Sequence, residues 1–134
     1  MLRRKEIVMP KIPMQLFSNS SVAMVLCSTI NEFNFEEQTA IYLYCADNFP
    51  VNKIVAMTEL PTLYVASTLR MFAERLSFKL SVFERTIAAD NCEKVPIKQL
   101  FELENVKIMR EYEYFNKHIK WMAEIGNSDF VLNF

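Results

Sequence analysis

The sequence predicts one mainly helical domain with a small β-hairpin, an α+β fold in which helices do most of the burying. Three observations carry this. A single glycine stands among 134 residues, so positions needing a positive φ are scarce, and helices joined by short loops suit that better than a sandwich of tight turns. Apolar residues recur three and four apart over most of the chain, the spacing of one helix face. After Leu76 the spacing gives way to alternation, the pattern of a strand. Hydrophobic residues make up 51% and charged residues 23%, which excludes a disordered chain. A domain of this length buries a core without a disulfide or metal staple.

Residues 1–134 are read as one domain, taken in order. The basic, Pro-punctuated residues 1–13 form an arm. Residues 18–49 hold two helices. The first starts at Ser18-Asn19-Ser20-Ser21, side chains that suit an N-cap, and turns Val22, Val25, Leu26, Thr29, Ile30 and Phe33 to one side. In "NFEE" Asn34 caps the second, with Glu37 three residues on in a capping-box relation; Asn48 and Pro50 end it. Residues 50–76 give a short helix burying Val51, Ile54 and Val55, a turn, and a longer helix opened by Pro61 with Val65, Leu69, Phe72 and Leu76 inward. In 77–101, Phe78, Leu80 and Val82 alternate with polar residues. "AADNCEK" is turn chemistry, and "VPIKQLFEL" is a return strand that Pro96 confines to an edge. Residues 102–126 form a last helix, with Ile108, Tyr112, Phe115, Ile119 and Met122 on one side and Gly126 at its C-cap.

The net charge is −1, and it is uneven. Arg3, Arg4, Lys5 and Lys11 outweigh Glu6 at the start, Glu32, Glu36, Glu37 and Asp47 make the next stretch acidic, and the middle is mildly basic. Cys27, Cys45 and Cys92 form no CxxC spacing, and the first two lie in apolar segments. They read as reduced core thiols of a cytoplasmic protein. Pro10 and Pro13 break any signal-peptide core, and no apolar stretch is long enough to span a membrane. His118 is the only histidine, which leaves no histidine pair for a metal. Its distance in the chain from Cys92 argues against a catalytic dyad. One glycine excludes a Gly-rich phosphate loop. Glu36–Glu37 read as helix capping, and Glu111 and Glu113 point to different helix sides. The sequence therefore predicts no enzyme and no cofactor. Phe33, Tyr42, Tyr44, Tyr112, Phe115 and Trp121 are candidates for lining a small cavity, though core packing explains the same spacing.

"EEQTAIYLYCADNFPVNKIVAMTELPTLYVASTLRMFAERL" fits the general helix-turn-helix pattern without gaps, and in this stretch resembles region 4 of sigma factors. With "SFKLSVFERTI", the wing-like turn and the final helix, the element order resembles MarR-like winged helix-turn-helix regulators with flanking dimerisation helices. With "EYEYFNKHIKWM" it loosely resembles the winged-helix domain of plasmid replication initiators. Where the family's turn commonly has Gly, this chain has Glu59.

The resemblance implies a regulator of transcription or replication that binds double-stranded DNA, with 61–76 in the major groove and 77–101 as the wing. Helix geometry turns Leu63, Ala66, Ser67, Arg70 and Glu74 outward, with Tyr64 and Met71 on one flank. Arg70 suits a guanine edge or phosphate, Ser67 either, and Leu63 or Ala66 a thymine methyl. Thr62 and Tyr64 join them at the helix start. Lys53, Lys79, Arg85, Lys94 and Lys98 are the phosphate candidates. Two other readings stay open. The face docks on a protein partner through Leu63, Tyr64 and Met71, or the helix is purely structural. The last helix is the expected homodimer seam.

Overall fold

The computed structural model describes residues 7–18, 20–84, 93–104 and 106–108. A two-residue strand, β1 (Ile12–Pro13), runs into a 3-10 turn at Met14–Ser18. Four helices follow: α1 (Ser20–Ile30), α2 (Phe35–Cys45), α3 (Val51–Thr58) and α4 (Thr62–Glu84). A second short strand, β2 (Lys94–Val95), leads through Pro96 into the one-turn helix α5 (Ile97–Phe101).

Local chemistry explains most boundaries. Asn34 closes a full capping box on α2, its Oδ1 accepting the Glu37 amide at 2.8 Å while Glu37 Oε1 accepts the Asn34 amide at 2.9 Å. α2 ends before Asn48, which takes a left-handed φ of 63° that asparagine tolerates. The same device follows α3. Glu59 adopts φ 62°, ψ 20° and donates its amide to the Val55 carbonyl at 2.8 Å, so a residue with a Cβ fills a place that favours glycine.

The long helix α4 is the hub, packed against α1, α2 and α3. Val65, Leu69, Phe72, Leu76 and Leu80 are fully buried along it and meet Leu26, Ile30, Ile41 and Ile54 in one core. The inner stripe expected from the sequence is therefore present, and it runs on by one further turn. Phe72 meets Phe33 edge to face at 6.1 Å, and Tyr42 meets Phe101 likewise at 5.8 Å, so Phe33 and Tyr42 serve the core.

Three expectations are corrected. Residues 77–84 continue α4 and are not the first strand of a wing. Stepping on from Leu76 by four and three reaches Leu80 and Phe83, which extend the helical stripe; alternation of Phe78, Leu80 and Val82 arises because Phe78 and Val82 face out while Leu80 faces in. Nor is β2 the return strand of a hairpin with 77–82. It pairs antiparallel with β1, Ile12 opposite Val95 and Pro13 opposite Lys94, and Pro96 caps a helix where a longer edge strand was expected. The end of the expected arm, residues 1–13, is thus a buried strand, with Ile12 at 0% exposure. The wing turn, with Arg85, lies outside the described residues, as do the basic cluster Arg3-Arg4-Lys5 and the final helix beyond Ile108.

Candidate functional site

The α3–α4 corner holds most of the residues that the sequence nominates. Its turn, residues 59–61, is fixed from both sides. Thr58 Oγ1 donates to the Ile54 carbonyl at 2.7 Å and accepts the Leu60 amide at 3.3 Å. The Pro61 carbonyl then accepts the Val65 amide at 3.1 Å and starts α4. The buried Ile54 and Val65 anchor the two helices beneath this turn.

The outward face of α4 follows the expected order. Thr62, Leu63, Ser67 and Glu74 are exposed, and Tyr64, Ala66 and Arg70 are half-buried. Leu63 is 71% exposed, a large apolar side chain at the first turn with no core to enter. The Tyr64 hydroxyl accepts from Asn34 Nδ2 at 3.3 Å, tying the start of α4 to the cap of α2. Lys53, exposed on α3, sets its ammonium 4.8 Å over the Phe49 ring.

The phosphate candidates do not converge on this face. Lys79 is bound to Glu32, which also takes Arg75 at 3.2 Å. Lys98 pairs with Glu102 one turn away at 2.8 Å. Lys94 is exposed, but it lies on β2, against β1. The Lys79 hydrogen bond holds the Glu32 carboxyl below the usual carboxylate range, against some desolvation and with help from Arg75. The Lys98 hydrogen bond does the same for Glu102. These lysines already have anionic partners, so a phosphate gains less from them than from a free ammonium. Lys53 and Arg70 are the cations nearest the turn and the first turns of α4.

No known protein-family model matches the chain, and no curated protein or solved structure matches it. The residues themselves must carry any functional reading.

Sequence reasoning missed two features. Phe78 and Val82 are 78% and 57% exposed on the outer side of α4; continuing the helical stripe through Leu80 was the signal that would have placed them there. A cleft of about 400 Å³ opens between Met9–Lys11, the end of α2 and Pro96–Lys98, lined by Tyr44, Cys45, Phe49 and Ile97 among others. Of the expected cavity set, Tyr44 lines it, while Tyr112, Phe115 and Trp121 lie outside the described residues. Burial pushes the Cys45 thiol well above its ordinary range, and its Sγ lies 3.9 Å from Met9 Sδ, so it is a packing group and a poor nucleophile. Among the described residues, no group of three or more His, Cys, Asp or Glu is placed to hold a metal, and no helix is long and apolar enough to cross a membrane.

Proposed function

We propose that the chain is a cytoplasmic helix-turn-helix protein that binds double-stranded DNA and regulates transcription or replication. α3 is the supporting helix and the first turns of α4 are the reading helix. The observation that carries this is the corner itself. Two helices joined by a three-residue turn, with Glu59 in the left-handed place, leave the start of α4 projecting with Thr62, Leu63, Ser67 and Arg70 along its open side. A reading helix contacts base edges through its N-terminal residues. In this reading Arg70 reaches a guanine or phosphate, Ser67 a base edge, and Leu63 a thymine methyl.

A second reading is favoured by the exposure of Leu63 and by the pairing of Lys79 and Lys98 with carboxylates. In it, the same corner docks on a protein partner through Leu63, Tyr64 and Met71. Such a face is poor in free charge and rich in apolar area.

Fluorescence anisotropy with a random-sequence duplex at several salt concentrations separates the two. With Lys53 and Arg70 as the main phosphate contacts, log K against log salt has a slope of about −2, since each contact contributes roughly −0.9. Arg70→Ala weakens binding and flattens that slope. Absence of binding at low salt overturns DNA reading and leaves docking, for which Leu63→Asp is the damaging substitution.

A further inference from the structure

The cleft at the end of α2 is built from three pieces of chain that are remote in sequence. Residues 9–11 lead into β1, residues 44–50 end α2 and lead to α3, and residues 96–98 follow β2. Its lining is mostly apolar. Cys45 and Ile97 are buried in it, with Met9 and Phe49 half-buried beside them. At about 400 Å³ it has the size of a site for a small organic molecule, and such sites combine apolar walls with a few polar groups that fix orientation.

The charge at the cleft has one sign. Lys11 and Lys98 line it, and no Asp or Glu among the described residues does. Lys98 is held by Glu102 at 2.8 Å, so its charge is already matched. The exposed Lys11 ammonium makes no ion pair or hydrogen bond among the described residues, and neither does the exposed side-chain amide of Asn48. A further positive charge stands close by, because the Lys53 ammonium lies 4.8 Å over the Phe49 ring.

We propose that this cleft binds a small apolar monocarboxylate, its carboxylate at Lys11 and Asn48 and its hydrocarbon against Cys45, Phe49 and Ile97. A carboxylate leaving water needs a cation and hydrogen-bond donors. Lys11 supplies the first, and the Asn48 amide adds two N–H donors. A cationic ligand meets Lys11 and Lys53 with no lining carboxylate to offset them. A polyanion brings more charge than one ammonium and one amide can match. The walls come from both flanks of the β1–β2 pair and from the end of α2, so an occupant bridges segments that only the folded chain brings together. It therefore stabilises the whole fold by mass action. The site stands whether or not the α3–α4 corner reads DNA.

An NMR titration of the full chain with octanoate tests the proposal. The expected result is saturable shifts of the Met9, Lys11, Asn48, Phe49 and Ile97 amides, with a Kd of about 1 mM or below. Octanamide, of the same length but uncharged, binds about threefold or more weakly. Butyrate, which keeps the carboxylate and loses four methylenes, binds about tenfold or more weakly. Lys11→Met removes the charge from an exposed position. It weakens octanoate by about threefold or more and leaves the thermal midpoint without octanoate unchanged. Octanoate that produces no saturable shift overturns the proposal, as do shifts confined to the exposed Phe78 and Val82 of α4. Equal binding of octanamide, or indifference to Lys11→Met, overturns the assignment of a carboxylate ligand.

Discussion

Glu32, in the turn between α1 and α2, accepts a hydrogen bond from Arg75 at 3.2 Å, across 43 residues of chain, while Lys79 one turn along α4 binds its other carboxylate oxygen. Arg75 also lies 4.8 Å over the Phe33 ring. One carboxylate and one aromatic ring therefore fix the α1–α2 corner to the side of the long helix.

This clamp predicts a modest, pH-dependent contribution to stability. The folded-state pKa of Glu32 is lowered, so its stabilisation is present above the ordinary carboxylate range and disappears as pH falls through the folded value. Its side chain is 40% exposed, and solvent screening keeps the effect of Glu32→Gln to about 0.5 kcal/mol or less at neutral pH. Thermal melts of the two proteins should differ at neutral pH and low salt, then converge in strong acid. Raising the salt should also narrow the gap.

The left-handed turn residue predicts a stabilising substitution. Glu59→Gly removes the Cβ clash at φ 62°, and the flexibility it adds to the unfolded chain offsets part of that gain. Urea denaturation should show a gain of about 0.5–1 kcal/mol. A loss instead would mean that the Glu59 side chain makes a contact worth more than the backbone strain.

The outcome for α4 predicts opposite behaviour at two neighbouring apolar positions. Leu80→Ala hollows out a fully buried site and should cost about 2–5 kcal/mol. Phe78→Ala, at a position 78% exposed, should change monomer stability by about 0.5 kcal/mol or less. A strand with both side chains on one face would make them comparable, so the contrast reads the helical register directly.

Thiol chemistry gives an independent check on the core. Cys27 and Cys45 are both buried, and the raised Cys45 pKa leaves little thiolate at mildly alkaline pH. In a Cys92→Ser variant, a thiol reagent should label neither cysteine in the native state and both in denaturant. Rapid native labelling of Cys45 would show that the cleft beside Met9 and Phe49 opens readily.

Where the sequence was informative, local chemistry and core burial agreed. The Asn34–Glu37 cap, the stop before Asn48 and the run Val65, Leu69, Phe72, Leu76 each had a nearby physical cause, and each stands in the structure. The wing failed because Phe78 and Val82 are apolar without facing the core, so the burial pattern no longer traced the helix period. The β1–β2 pair could not be read at all. Its strands are two residues each, too short for any periodicity, and its partners are remote in sequence. On the candidate site, outward residues of α4 followed from helix geometry, whereas capture of Lys79 by Glu32 and of Lys98 by Glu102 depends on side-chain placement that residue types alone do not specify.

The remote strand pair also bears on the order in which the chain assembles. Joining Pro13 to Lys94 closes a loop of about 80 residues, at an entropic cost of about 4 kcal/mol. A ladder this short cannot meet that cost alone, whereas α2, α3 and α4 are neighbours in sequence and collapse through short connections. The strands act as a latch that shuts after the helices have gathered. The Met14 amide, donated to the Glu93 carbonyl at 2.8 Å, should then exchange with solvent sooner than the amides of Leu69 and Phe72, so the two ends of the fold release before its centre does.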